Sequence, residues 1–207
     1  MFNRIPPVTG HLLLINIIMF VATLFNEQFM IGTFSLFYPE SPFFRWWQPI
    51  THMFMHGGFF HIFFNMYSLF LFGSVLERTI GSKKFVVFYF LSGIGAMLLH
   101  LLTIHFWASP EVRIFPPMLG ASGAIYGLFI GYGMLYPDSV LTLMFPPVSL
   151  KAKWMMAIFV GIELLIGVLD TADGVAHFAH LGGALLGFVM ILYWKKSGKI
   201  WLRDKWI

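Results

Sequence analysis

Ser122 is of a type and in a setting that suit nucleophilic catalysis. It stands between small residues in the run GASGAIYG, where an apolar segment begins. A serine at a helix start has an uncrowded hydroxyl, and the first N–H groups of a helix have no helical acceptor, as an oxyanion site requires. Taken alone, the run is explained more simply by close helix packing, because Gly123, Gly127 and Gly131 recur at four-residue spacing.

His180, in the run AHFAHLGGALLG, is the residue that can serve such a nucleophile as a base. It shares one helix face with Gly183 and Gly187, and a large side chain on a face of small residues must point into space that a neighbour leaves. The glycine-lined segment after Ser122 can leave that space. This pattern predicts that His180 lies beside Ser122 and that the ring of Tyr126 packs against the imidazole.

The acidic residues near these segments do not predict a third catalytic member. Asp170 and Asp173 lie in the loop before the His180 segment and are interpreted as solvent-facing, so a Ser–His dyad is the simpler hypothesis. Glu163 lies in the middle of an apolar segment, where an ionisable group is costly. A structural hydrogen bond to another helix is preferred for Glu163 over a proton relay, which would point to a transporter.

Three histidines and an asparagine open another apolar segment, in the run THMFMHGGFFHIFFN. His61 and Asn65 lie one turn apart on one helix face, so both can point at a single developing negative oxygen. The same pair can instead hold helices together by hydrogen bonds. A metal site is the third and least favoured interpretation, because His52 and His56 are four residues apart but have no HExxH motif and no acidic residue nearby.

The composition shows that these segments belong to an integral membrane protein. Of the 207 residues, 58% are hydrophobic and 11% are charged, whereas a soluble globular chain has roughly 25% charged residues. The formal net charge is +4, but the basic residues lie between apolar runs and not in one patch, which excludes a nucleic-acid partner. The absence of cysteine excludes disulfides, cysteine-ligated metals and thiol nucleophiles.

Six apolar segments are predicted to be spanning helices, since a span needs about 20 mostly apolar residues. The predicted fold is an all-α, polytopic bundle of six transmembrane helices in a single domain, residues 1–207. The first segment is interpreted as a retained span and not a signal peptide, because no small-x-small cleavage site follows it. The six segments are residues 10–25, 58–76, 85–106, 121–136, 154–169 and 175–194.

Loop charges predict the orientation of this bundle. With the N-terminus in the cytoplasm, 11 of the 13 lysine and arginine residues lie on the cytoplasmic side and only Arg45 and Arg113 lie outside. Both termini are therefore predicted to be cytoplasmic. The long outer loop, residues 26–57, is rich in phenylalanine and tryptophan, which predicts that it lies half-sunk in the headgroup region.

Three runs, in this order along the chain, resemble the rhomboid family of intramembrane serine proteases: HGGFFHIFFN, GASGAIYG and AHLGGALLG. The resemblance extends from about Trp47 to Gly187, matches a bare six-helix bacterial core, and includes LERTIGS after the second segment. The family's first loop often carries a Trp-Arg pair where this chain has Trp47-Gln48. That departure affects the hydrogen bonding of the loop and leaves every catalytic position in place.

The resemblance implies a role for each matching residue. Ser122 would be the nucleophile, and His180 would be the general base and then the acid for the leaving amine. His61 and Asn65 would form the oxyanion hole with the backbone N–H groups of Ser122 and Ala121. Three further residues would stack on the histidine, allow close backbone approach and support the active-site entrance, respectively: Tyr126, Gly120 and His56.

The implied function is hydrolysis of peptide bonds in or near the spanning segments of membrane-protein substrates, single-span proteins included, without cofactor or metal. The implied location is the bacterial inner membrane, and no oligomeric state is implied. Two other functions stay open. An inactive relative would bind membrane clients without cutting them, although such relatives typically lack the serine or the histidine. A small transporter or channel would use Glu163 and the histidines, although no internal pseudo-repeat is visible.

Overall fold

The apolar segments fold into helices that pack side by side. The structure is a computed structural model and describes residues 5–107, 117–143, 147–169 and 177–200. Within these residues, α1 and α2 are followed by the short α3, α4 and α5 join through a π-helical turn into one long helix, and α6 to α9 follow. The bounds are Pro7–Phe25 (α1), Glu27–Phe34 (α2), Gln48–Thr51 (α3), Phe59–Ser68 (α4), Leu69–Gly73 (the π turn), Ser74–Ile80 (α5), Ser82–Trp107 (α6), Ser122–Leu135 (α7), Ala152–Leu169 (α8) and His177–Lys196 (α9).

In the described part of the chain, five helices are long and apolar enough to cross a membrane, namely α1, the joined α4–α5, α6, α8 and α9. Each of the six predicted segments coincides with a helix, although residues 175 and 176 of the last segment lie outside the described part. The remaining segment, the fourth of the six, forms α7, which has only 14 residues. At 1.5 Å per residue it is about 21 Å long, against a hydrocarbon core of about 30 Å. A helix of that length cannot reach both surfaces, so Ser122 at its beginning lies at membrane depth if its other end meets a surface.

The distribution of polarity fits a lipid environment. Large apolar side chains on the outward helix faces are exposed, including Leu24, Phe60 and Val168. Polar side chains such as Asn16 and Ser92 are instead buried between helices. Apolar surface faces outward and these polar side chains face the interior of the bundle, as a bilayer favours. The chain is an all-α polytopic membrane protein, as the composition predicts.

Helices α6, α7 and α9 touch one another through their backbones. A Cβ atom on Gly183 would lie 1.8 Å from the carbonyl oxygen of Gly123, and one on Gly187 would lie 2.8 Å from the Cα of Gly127. Side chains larger than hydrogen therefore cannot fit at this contact. The predicted packing of the His180 segment against the glycine-lined segment is confirmed. This contact holds the beginning of α7 next to the beginning of α9.

Glu77 joins the end of α5 to the beginning of α1. Its carboxylate accepts hydrogen bonds from the backbone N–H groups of Val8 at 3.0 Å and Thr9 at 2.7 Å, and from the hydroxyls of Thr9 at 2.8 Å and Ser82 at 2.7 Å. The N–H groups of a first helical turn otherwise lack acceptors. A carboxylate from the LERTIGS run thus caps α1 from a distant part of the chain.

The loop between α1 and α4 is organised around Gln48, whose side chain is fully buried. Its Oε1 accepts the backbone N–H groups of Phe37 at 3.3 Å and Arg45 at 3.1 Å, and its Nε2 donates to the carbonyl oxygen of Phe43 at 3.0 Å. This glutamine stands where the family that the sequence resembles often has an arginine. An uncharged amide with both donor and acceptor thus satisfies three backbone groups of the loop.

A two-stranded antiparallel ribbon between α7 and α8 was not predicted. Its strands are Val140–Thr142 (β1) and Ser149–Lys151 (β2), with Val140 opposite Lys151. Beside it, Asp138 accepts hydrogen bonds from Lys153 at 2.9 Å and Lys151 at 3.1 Å. These ammonium groups hold the pKa of the Asp138 carboxyl below its usual value. The helical fold class is otherwise as expected.

Candidate active site

Ser122 and His180 are in hydrogen-bond contact. The distance between His180 Nε2 and Ser122 Oγ is 2.9 Å. Ser122 is the first residue of α7 and His180 lies in the first turn of α9, and the glycine contact between these helices brings the two helix starts together. The structure thus places the two side chains together, as the sequence predicts.

The ring of Tyr126 stacks on the imidazole of His180. The ring centroids are 4.3 Å apart and the planes differ by 5°. Tyr126 lies one turn after Ser122 on α7, so a single helix carries the serine and the ring that fixes the plane of its partner. The predicted packing of Tyr126 on the histidine is confirmed.

Glu163 of α8 lies against the other side of His180. Its Oε1 is 3.0 Å from His180 Nδ1, although this contact is not linear enough for a well-aligned hydrogen bond. Its Oε2 is 2.7 Å from Nδ1 of His177. The hydroxyl of Tyr126 donates a hydrogen bond to Oε1. Glu163 is buried at 7% exposure.

The contact of Glu163 with His180 corrects the prediction that no acidic residue is placed to be a third member. Glu163 forms the hydrogen bonds to other helices that the preferred interpretation requires, with partners on α7 and α9. The two loop residues Asp170 and Asp173 lie outside the described part of the chain. Sequence spacing does not connect a residue on α8 to one on α9. A signal was nevertheless present, because a carboxylic acid within a span needs donors, and histidines supply them.

Three side chains that were not predicted to form a metal site lie close enough together to hold a metal ion. Glu163, His177 and His180 offer ligand atoms that all lie within 4.8 Å of one another. In the same structure, however, these groups already contact one another directly. His52 and His56, the metal candidates from sequence, belong to no such group among the described residues.

His61 lies beside the backbone that precedes the nucleophile. A Cβ atom on Gly120 would be 2.8 Å from His61 Nε2 and 3.7 Å from Ser122 Oγ, and Gly120 has a φ of +122°, so only glycine fits. The backbone N–H of Gly57 points at His61 Nδ1 over a long 3.5 Å. An acceptor role for Nδ1 leaves the proton on Nε2, where it faces the site.

Asn65 follows His61 by one turn on α4 and is buried. Its Nδ2 group has no hydrogen-bond partner among the described residues. A buried amide left without a partner costs about 1–3 kcal/mol. A donor kept free at such a cost is consistent with one reserved for a bound carbonyl oxygen.

The beginning of α7 supplies further donors. The first helical hydrogen bond made there is from the N–H of Ile125 to the carbonyl oxygen of Ala121, at 3.1 Å. The N–H groups of Ser122 and Gly123 precede that bond and have no helical acceptor. Gly120 is held in place separately, because its N–H donates to the carbonyl oxygen of His52 at 2.9 Å.

Two buried histidines from the long loop support this arrangement. His52 Nδ1 hydrogen-bonds to the carbonyl oxygen of Gln48 at 2.9 Å, and burial lowers the pKa of His52 to about 4. The ring of His56 packs edge-to-face on His61, with centroids 5.0 Å apart. Burial, helped by the neighbouring His61, lowers the pKa of His56 to about 3. Both rings are therefore neutral at physiological pH and serve as packed, uncharged supports.

The comparison with known families decides the identity of the fold. The Rhomboid domain family matches residues 44–197. This chain belongs to the rhomboid family. The match includes the residues that carry the sequence resemblance, from the outer loop to the end of α9. The family implied by the three runs is confirmed.

Several named rhomboids are similar to this chain. It is 32% identical to rhomboid-like protease 3 of Toxoplasma gondii over 172 residues, which are 83% of this chain and 60% of the relative. It is 31% identical to the putative rhomboid protease YdcA of Bacillus subtilis (strain 168), over 71% of this chain and 68% of the relative. RHOMBOID-like protein 5 of Arabidopsis thaliana is 32% identical over 70% of this chain. The chain spans only 44% of that plant relative's length.

Proposed function

We propose that this rhomboid is an intramembrane serine endopeptidase that hydrolyses peptide bonds in or near the spanning segments of other membrane proteins. The observation that carries the proposal is the 2.9 Å contact between Ser122 Oγ and His180 Nε2 within a bundle of apolar helices. Two relatives are named as proteases, which supports the same reaction class.

The proposed chemistry begins when His180 Nε2 takes the proton of Ser122 Oγ. The oxygen attacks the carbonyl carbon of the scissile bond, and the carbonyl oxygen becomes negatively charged. His180 then donates the proton to the leaving nitrogen, the C–N bond breaks and an acyl-enzyme forms. Water, with His180 again as base, releases the acid and restores Ser122.

The negative oxygen of this intermediate needs donors that are already in place. His61 Nε2, which faces Gly120, is one proposed donor, and the unpartnered Nδ2 of Asn65 is a second. The backbone N–H of Ser122 is a third, and that of Ala121 is a fourth candidate. All of these donors are uncharged, which lowers the cost of placing them at membrane depth.

The proposed substrates are single-span or other membrane proteins whose helix unwinds locally at the site. A carbonyl in an intact helix is hydrogen-bonded and shielded by its own turn, so Ser122 cannot reach it. Glycine or other residues of low helix propensity near the cut lower the free energy of unwinding, by up to about 1 kcal/mol per glycine. Cleavage therefore favours spans with such residues near one end.

The proposed location is the bacterial inner membrane with both termini cytoplasmic. Support comes from the loop charges, which place 11 of 13 basic residues on one side. In that orientation Ser122, at the beginning of α7, lies on the outer side. Water and substrate then enter from the outside, past the loop that contains α2 and α3.

Cleavage in reconstituted liposomes tests this function. Wild-type protein and Ser122→Ala are each mixed with a panel of single-span substrates, and products are resolved by mass. We expect cleavage by wild type and none by Ser122→Ala. Ser149→Ala, which changes an exposed serine on β2 far from the site in sequence, is the matched control and cleaves as wild type does. A wild type that cleaves no member of the panel, or a Ser122→Ala variant that cleaves as well, contradicts the proposal.

A further inference from the structure

We infer that Glu163 is a positioning residue of this site and completes a Ser122–His180–Glu163 triad, an inference that rests on the proposed protease function. The carboxylate holds the imidazole so that Nε2 is free to accept the serine proton. The sequence alone favours a dyad, and the three-residue arrangement emerges only when α7, α8 and α9 are assembled.

The two ring nitrogens of His180 face two different partners. Nε2 is 2.9 Å from Ser122 Oγ, and Nδ1 is 3.0 Å from Glu163 Oε1. A neutral imidazole carries one proton, and Nε2 can act as a base only if that proton is on Nδ1. A carboxylate beside Nδ1 favours this tautomer. It also stabilises the imidazolium that forms when the serine proton is taken.

The approach of Glu163 to His180 is close but not linear. Catalytic hydrogen bonds are often poorly aligned without substrate and tighten once it binds. The 3.0 Å separation is already a hydrogen-bond distance, so only the angle at Nδ1 has to improve. The contact is therefore poised to strengthen when the ring gains its proton.

Two other side chains hold the carboxylate in this position. His177 Nδ1 lies 2.7 Å from Oε2, and the hydroxyl of Tyr126 donates to Oε1. Tyr126 also stacks on His180 at 4.3 Å, so one side chain contacts both members of the acid–base pair. Each oxygen of Glu163 thus accepts a hydrogen bond, and Oε1 is held beside His180.

A role in helix packing alone makes a different prediction. The same contacts also link α8 to α7 and α9, and a glutamine of nearly equal size could preserve such a link. The glutamine amide cannot hold the Nδ1 proton as a carboxylate does, and it carries no charge to stabilise an imidazolium. Glu163→Gln therefore separates positioning of His180 from helix packing.

The experiment measures kcat, KM and Tm of reconstituted wild type, Glu163→Gln and Glu163→Asp with one cleaved single-span substrate. For Glu163→Gln we expect kcat to fall about 10²–10⁴-fold, as when the acidic member of a triad is neutralised, with KM within about threefold. Glu163→Asp keeps a negative charge on a shorter side chain. Its kcat is expected to be at least tenfold higher than that of Glu163→Gln. The rate of fluorophosphonate labelling falls in parallel with kcat, because both report the nucleophilicity of Ser122.

Glu77→Gln is the matched control, because Glu77 is also a buried carboxylate with several donors but caps α1 outside the site. It is expected to lower Tm while kcat, measured below both melting temperatures, stays within about twofold. Retention of more than one third of wild-type kcat by Glu163→Gln overturns the inference and leaves the protease function intact. An equal loss of kcat in both variants, or no recovery in Glu163→Asp, also overturns it. A wild type without Ser122-dependent cleavage overturns the proposed function itself.

Discussion

At the scale of single residues, sequence spacing predicts the positions of several groups of the site but not the position of Glu163. The four-residue interval of His61 and Asn65 correctly indicates one helix face, and the glycines around His180 correctly indicate its neighbour. The contact of Glu163 with His180 was missed, because helical periodicity reports which face a side chain occupies and not which residue of another helix lies at the same depth. His177 was missed for the same reason.

Loss of an oxyanion donor is the first prediction at this scale. His61→Ala and Asn65→Ala each remove one of the proposed oxyanion donors, and each is expected to slow turnover by about 10²–10³-fold. Cleavage rate and Tm are measured together, with little change in Tm expected because the glycine contact between α7 and α9 stays in place. Unchanged cleavage in both variants would remove these residues from the proposed oxyanion site.

At the scale of elements, the site depends on how closely α7 and α9 approach. The helix bounds follow from apolar runs and are predicted well. The π turn within the second span was not predicted. The ribbon of β1 and β2 was not predicted either, because three-residue strands carry too little alternation to be recognised. The predicted segment 121–136 is already short for a span, and the structure shortens it further, to the 14 residues of α7.

The glycine contact between α7 and α9 gives a prediction at this scale. In Gly183→Ala the new Cβ would lie 1.8 Å from the Gly123 carbonyl oxygen, so the helices must separate. Ser122 and His180 move apart with them, and cleavage is expected to fall at least 10²-fold, since small displacements of catalytic groups have effects of about that size. Thermal melting of the variant is expected to fall as well.

Gly161→Ala on α8 is the control for that experiment. A Cβ there meets no atom of the described residues within 4 Å, so the variant is expected to keep wild-type cleavage. Its Tm stays equal or rises slightly, because alanine favours a helix over glycine by about 1 kcal/mol. Normal cleavage by Gly183→Ala would show that the close contact does not position the two catalytic side chains.

At the scale of the whole molecule, the charged residues are few and are restricted to particular places in the bundle. The basic side chains mark one end of the bundle, and the site is built from uncharged groups, with Glu163 as the charged exception that contacts histidines. Composition alone predicts a membrane protein. It does not predict an enzyme, which required the three runs and the packing that joins them.

The orientation of the bundle is tested with single cysteines, because the natural chain has none. Trp46→Cys replaces a side chain that is 81% exposed in the outer loop, and Ser149→Cys replaces an exposed serine of the ribbon. A membrane-impermeant maleimide applied to intact spheroplasts is expected to label Trp46→Cys and not Ser149→Cys. Labelling of Ser149→Cys appears only after permeabilisation, and the reverse pattern would invert the predicted topology.

The central claim is that Ser122 is a nucleophile made reactive by His180, and the most direct test is the site of covalent modification. Purified protein in detergent is treated with a fluorophosphonate, digested and analysed by mass spectrometry. The predicted result is a single phosphonylated residue, Ser122, with modification strongly reduced in His180→Ala and absent in Ser122→Ala. An unmodified wild type, or an adduct on another serine that persists in Ser122→Ala, would contradict the account.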